Sequence, residues 1–162
     1  MRLDDVLSIL VNYGADPMIV RPATSKDIYL CNEDLAECEM NHKLPDGYAA
    51  FLRELNGFAW NGIEFFSTYQ VTDPETDYML NDIVSANEDF RSYSDDEDDE
   101  CFLLGRADED LYVYNPKNRR YEVLDLTGRD VMEKFDTFEE MFVRVVCSRI
   151  SSRDDCCRKF SL

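Results

Sequence analysis

The sequence predicts an α+β domain: a mostly antiparallel, twisted sheet with helices packed on it. Three observations favour this class. The chain has 162 residues, which is long enough for one domain with a sizeable core. Segments near both ends and in the middle repeat apolar residues at the spacing of amphipathic helices. Between them lie β-rich runs joined by short turn sequences, and such short connections give antiparallel strands.

The N-terminal region predicts one clear helix followed by weaker signals. Apolar residues recur at helical spacing from Leu3 to Val11, and Gly14 lies in the stretch that ends this helix. Prolines then interrupt the pattern. We expect a short strand at residues 28–31 and a poorly anchored helix at residues 33–40.

The segment from Leu44 to Phe66 contains the strongest local signals. Pro45 suits a first helical turn, and an apolar stripe follows at i, i+3, i+4 and i+7: Tyr48, Phe51, Leu52 and Leu55. Asn56–Gly57 predicts a left-handed helix stop. Asn61–Gly62 between two apolar runs is the strongest short signal for a β-hairpin. We expect the stripe and Trp60 to lie in the core.

The rest of the chain predicts a loop, a helix, several strands and a closing helix. In order, these are a loop at 72–78, a helix at 82–90, strands at 101–104, 111–114 and 121–126, and a helix from 138 to 150. Thr137 with Glu140 fits a capping box for the closing helix. We therefore predict one domain over residues 1–150 and a flexible, polar, basic tail over residues 151–162.

The composition is strongly acidic, because 35 Asp and Glu face 17 Lys and Arg and give a net charge of −18. Such a protein is repelled by nucleic acid phosphates and by anionic membranes. It should instead attract basic partners, and this attraction should weaken as salt is added. The charge therefore predicts a protein partner, with no nucleic acid and no membrane.

The sequence offers little for catalysis or cofactor binding. It has one histidine, His42, and its six cysteines include no Cys-x-x-Cys pair, so we predict no metal, no cofactor and no enzyme activity. Acids at Asp4 and Asp5 occupy positions where a secretory segment needs basic and then apolar residues. We therefore expect a cytoplasmic protein with reduced thiols.

The candidate binding site is an acidic run of six consecutive residues: Asp95, Asp96, Glu97, Asp98, Asp99 and Glu100. Three interpretations remain open: a solubilising surface loop, a landing surface for a basic partner, and a metal site, although the run lacks the glycine and ligand spacing of a calcium loop. Asp108 and Glu109, between two predicted strands, would extend the same negative surface if folding brings the loops together.

Four segments in order resemble the SMI1/KNR4-type proteins of the SUKH superfamily, and within it the bacterial YrhA-like branch. They are Leu44-Pro-Asp-Gly-Tyr-Ala-Ala-Phe-Leu with Leu55-Asn-Gly, Asn81-Asp-Ile-Val with Asn87, Leu103-Leu-Gly with Asp110-Leu-Tyr-Val-Tyr, and Phe135 with Thr137-Phe-Glu-Glu-Met-Phe. The order and spacing agree from about Leu44 to Val146. The acidic run and the cysteine-rich tail depart from the general pattern.

The resemblance implies a single α+β domain without catalytic activity. Bacterial members of this family look like immunity proteins that bind and neutralise a cognate toxin, often a nuclease, in the producer's cytoplasm. Fungal relatives act as scaffolds in cell-wall signalling. The hypotheses are thus an immunity protein that meets a basic toxin through acidic loops, an intracellular scaffold or regulator, and a small hydrolase with a raised-pKa carboxylate in a pocket.

Overall fold

The computed structural model describes residues 2–38, 43–93 and 101–150 and confirms the predicted α+β class. Its helices within these ranges are α1 (Leu3–Asn12), α2 (Ser25–Glu37), α3 (Asp46–Glu54), α4 (Ile83–Ser92) and α5 (Phe138–Ser148). Its strands are β1 (Met18–Ile19), β2 (Phe58–Trp60), β3 (Ile63–Phe65), β4 (Val71–Thr72), β5 (Met79–Leu80), β6 (Phe102–Arg106), β7 (Asp110–Asn115), β8 (Arg120–Asp125) and β9 (Val131–Phe135).

Seven strands form one antiparallel sheet in the order β1-β2-β3-β6-β7-β8-β9. The hairpins predicted around Asn61–Gly62 and residues 115–118 are both present, as β2–β3 and β7–β8. β4 and β5 pair with each other in a separate small hairpin. Most strands therefore pair with their neighbours in sequence, as the short turn signals predict.

The core lies where α3 and α5 pack on the sheet through aromatic side chains. Phe65 of β3 stacks on Tyr112 of β7 with ring centroids 5.1 Å apart. The ring of Phe65 also contacts Phe138 and Phe142 of α5, with centroid distances of 5.3 and 5.4 Å. The ring centroid of Phe51 in α3 lies 6.1 Å from that of Phe65. The apolar stripes predicted for α3 and α5 are thus both buried, as is usual for amphipathic helices.

The middle of the sheet is covered on both faces. Consecutive residues of β7 (111–113) and β8 (121–124) are all buried, although their side chains alternate between the two faces. Helix α4 contacts β6, and α2 contacts α4. None of the helices in the described ranges is long and apolar enough to cross a membrane.

Two expectations for the N-terminal half are wrong. Residues 28–31 are not a strand but part of α2, which begins at Ser25, eight residues before the predicted helix. Thr24 forms a capping box with Asp27, which fixes this earlier start. Helix α3 ends at Glu54, because Leu55 already has extended backbone angles, so Asn56–Gly57 lies beyond the helix end.

Three further differences concern strands. The predicted loop at 72–78 starts within β4 and ends in a tight turn before β5. Strand β9 was not predicted, because its sequence, Val-Met-Glu-Lys-Phe, does not alternate apolar and polar residues. In the structure all five residues are exposed or half-buried. Trp60 is only partly buried, at the end of β2, although it packs against the core as expected.

Candidate functional site

The predicted run Asp95–Glu100 lies outside the described residues. The described chain stops at Tyr93 after α4 and resumes at Cys101, immediately before β6. In the sequence, the run directly precedes Cys101. Its role in binding stays a prediction.

Asp108 and Glu109 lie in the turn between β6 and β7 and are both exposed, as a solvated turn requires. This turn follows the C-terminal end of β6, whereas Cys101 lies at the other end. Extended strands rise about 3.3 Å per residue, so Cys101 and Ala107 are separated by roughly 20 Å along the strand. Cys101 and the turn with Asp108 and Glu109 thus lie at opposite ends of β6.

Three turns meet at the end of the sheet that carries Asp108 and Glu109. The amide of Leu126, in the β8–β9 turn, donates to the carbonyl of Glu109 at 2.9 Å. From the other side, a Cβ on Gly62 in the β2–β3 turn would lie 3.5 Å from a carboxylate oxygen of Asp108. The exposed acids of the β6–β7 turn are therefore held between two neighbouring hairpin turns.

Three carboxylates and one guanidinium act on Asp110 at this end of the sheet. Partial burial raises the pKa of the Asp110 carboxyl, and the nearby charges of Glu109, Asp125 and Glu133 raise it further, while Arg149 opposes them. Burial is the main cause of this shift, and the three neighbouring carboxylates add to it against the guanidinium of Arg149. The exposed carboxylates of Asp108 and Glu109 are the groups that a basic partner would encounter at this end of the sheet.

A second cluster, which sequence reasoning missed, joins the small hairpin to the main sheet. Glu64 of β3 is largely buried and accepts a hydrogen bond from Nε of Arg106 at 2.7 Å. Its other carboxylate oxygen accepts the hydroxyl of Tyr78, which precedes β5. Burial and this hydrogen bond raise the pKa of Tyr78, so the phenol stays protonated and donating. The only signal in the sequence was an isolated acid, Glu64, between apolar neighbours in a predicted strand.

Two polar residues of the segments that carry the family resemblance are buried and serve the fold, Tyr48 and Asn56. The Tyr48 hydroxyl reaches the carbonyl oxygens of Phe66 and Leu104. The Asn56 side chain accepts from the amide of Thr68 and donates to its hydroxyl, at 2.9 and 2.8 Å. These two positions are therefore core positions, whereas Asp46, Glu139 and Glu140 of the same family-like segments are exposed.

The thiols also have structural explanations. Burial raises the pKa of Cys31 to about 12, so this thiol is inert. Cys38 donates to a Glu88 carboxylate oxygen at 3.1 Å, and this hydrogen bond raises its pKa to about 11. Within residues 2–38, 43–93 and 101–150, no group of three His, Cys, Asp or Glu side chains is placed to hold a metal ion.

The described residues thus define an α+β domain with an acidic, turn-rich end of its sheet. A scan of protein-family models and a search of curated proteins both return no match for this chain. Membership of the SUKH superfamily therefore stays a prediction from the four segments quoted above.

Proposed function

We propose that this protein is a non-catalytic binding domain, most specifically an immunity protein that neutralises a cognate bacterial toxin with a basic surface, such as a nuclease. The observation that carries the proposal is the exposed acid pair Asp108–Glu109, in a turn held between two neighbouring hairpin turns, in a chain of net charge −18. A carboxylate surface of this kind can occupy the basic groove in which a nuclease holds phosphate groups.

The proposal also draws on the four family-like segments. Two polar residues of these segments, Tyr48 and Asn56, already form buried hydrogen bonds. The partner specificity of such a domain would therefore lie in its exposed loops. Under this proposal the protein acts in the cytoplasm of the toxin producer and has no affinity for nucleic acid or membranes. The run Asp95–Glu100 would supply a second acidic contact.

The test is co-expression with the toxin gene that neighbours this gene. Wild-type protein should protect cells, co-purify with the toxin and block its activity. A variant that combines D108N/E109Q with amide replacements of all six acids of the run should bind the toxin at least tenfold more weakly at low salt. D108N/E109Q alone should already weaken binding more than its charge-matched control on α2, E33Q/D34N, which removes two exposed acids that lie outside the sheet.

Other outcomes would contradict the proposal in identifiable ways. If the two proteins neither associate nor protect cells, the immunity function is wrong. Several stable partners and no neighbouring toxin gene would favour the intracellular scaffold instead. Protection that survives neutralisation of all eight acids would keep the function but reject the acidic site.

A further inference from the structure

The sequence contains two Asn–Gly pairs, Asn56–Gly57 and Asn61–Gly62, and the fold places them in opposite environments. Asparagine followed by glycine is the sequence most open to deamidation, because glycine has no side chain to shield its backbone nitrogen from the neighbouring side-chain amide. The chemistry is the same at both pairs, so a difference in their reactivity has to come from the fold.

Asn56 is fully buried, and both ends of its side-chain amide are bound. Its oxygen accepts from the amide of Thr68 at 2.9 Å, and its nitrogen donates to the Thr68 hydroxyl at 2.8 Å. Gly57 is also closely packed, because a Cβ there would lie 2.6 Å from a methyl group of Leu80. The Asn56 side chain therefore cannot turn toward the Gly57 nitrogen without breaking buried hydrogen bonds.

Asn61 and Gly62 are both exposed in the two-residue turn between β2 and β3. Both have the positive φ that such a turn requires. Within the part of the chain that the structure describes, the Asn61 side chain forms no hydrogen bond and the Gly62 amide donates none. Rotation of the Asn61 side chain toward the Gly62 nitrogen therefore breaks no hydrogen bond.

We propose that Asn61 is a site of spontaneous deamidation and that the fold protects Asn56 from the same reaction. The backbone nitrogen of Gly62 bonds to the side-chain carbonyl carbon of Asn61, and the bond from that carbon to the side-chain nitrogen breaks. The proton of the Gly62 amide passes through solvent to the leaving group, which departs as ammonia. Water then opens the cyclic imide at either carbonyl and leaves aspartate or isoaspartate at position 61.

The product alters a turn that borders Asp108. A Cβ at Gly62 would lie 3.5 Å from a carboxylate oxygen of Asp108, so the new carboxylate at position 61 arises one residue from this close approach. Isoaspartate also adds a methylene group to the backbone of a two-residue turn and so changes its geometry. The reaction needs only water, and it is independent of the immunity function and of any partner.

The experiment follows both asparagines in one sample of folded wild-type protein by mass spectrometry. Trypsin has no cleavage site between Arg53 and Arg91, so fragment ions of one peptide compare the two positions directly. Asn61 should convert progressively, and faster as the pH is raised, because the attacking nitrogen has to lose its proton. Asn56 should convert at least about tenfold more slowly, because two buried hydrogen bonds have to break first.

Two controls separate the effect of the fold from that of the sequence. In guanidinium chloride at the same pH, both positions should convert at similar rates, because each asparagine precedes a glycine. Asn12 is exposed but precedes Tyr13, so it should convert more slowly than Asn61 in folded and unfolded protein alike. Equal rates at Asn56 and Asn61 in the folded protein, no conversion of folded Asn61, or an Asn56 that stays slow after unfolding would each overturn the proposal.

Discussion

The strongest structural prediction concerns Asn87, which ties helix α4 to strand β6. Its side-chain oxygen accepts from the amide of Leu103 at 2.8 Å, and its side-chain nitrogen donates to the carbonyl of the same residue at 2.8 Å. Asn87 is 2% exposed, so water does not replace these bonds easily. The side chain acts as a short strand neighbour beyond the point where β3 ends.

Replacing Asn87 by alanine leaves both backbone groups of Leu103 buried without a partner. Each unsatisfied buried group costs about 1–3 kcal/mol, so N87A should lower the free energy of unfolding by about 2–6 kcal/mol. At about 2–4 °C per kcal/mol for a chain of this size, the melting temperature should fall by roughly 5–20 °C. N87D should be worse, because it keeps the acceptor but buries a carboxylate.

Urea denaturation and amide hydrogen exchange test this reasoning together. N87A should lower the urea midpoint at constant slope and should accelerate exchange of the Leu103 amide. The control N12A removes an exposed asparagine from α1 and should change stability by less than about 0.5 kcal/mol. A loss below about 1 kcal/mol for N87A, with unchanged exchange at Leu103, would refute the role assigned to Asn87.

Two further predictions concern single positions. G105A should destabilise the protein severely, because a Cβ at Gly105 would overlap the backbone carbonyl of Glu64. The control G14A changes a positive-φ glycine with open space around it, so it should lower the free energy of unfolding by only about 1 kcal/mol. Thermal melting measures both variants. The rate at which Cys38 reacts with iodoacetamide should rise with pH around a pKa of about 11 instead of the ordinary 9.0, as peptide mass spectrometry would show. E88Q removes the carboxylate that causes this shift, so it should raise the rate at pH 9 by roughly tenfold or more.

Much of the fold could be predicted because local and tertiary signals agree. Helix α5 has both a capping box at Thr137 and a continuous apolar stripe, and the structure confirms both. The β2–β3 hairpin follows from Asn61–Gly62, whose residues both adopt the positive φ that such a turn requires. Where one segment carries two independent signals, the sequence alone determines the element.

Elements with a single weak signal were missed. Helix α2 buries Ile28, Cys31 and Leu35 at helical spacing, but exposed Tyr29 and Leu30 blurred the period into a strand-like run. The capping signal of Thr24 with Asp27 could have located its start. The site was harder still, because the contacts of Glu64 with Tyr78 and Arg106 join residues 14 and 42 positions apart. No sequence period reports such a pairing.

Both edges of the sheet resist pairing with another chain, which bears on how this protein binds. β1 has only two residues and lies between Pro17 and Pro22. β9 has a bulge, because Met132 lies unpaired between two residues that pair with β8, and it carries the charges of Glu133 and Lys134. Short, charged and bulged edges block strand addition, so a partner has to be met by side chains and turns.

This protection predicts the effect of removing it on β9. The variant E133V/K134V keeps the net charge and gives the edge a run of β-branched residues, so it should associate into larger species in light scattering at micromolar concentration. The charge-matched change on the exposed surface of α2, K26V/E33V, should leave the particle size as in the wild type. An E133V/K134V protein of unchanged size would show that the bulge at Met132 protects the edge without the charges of Glu133 and Lys134.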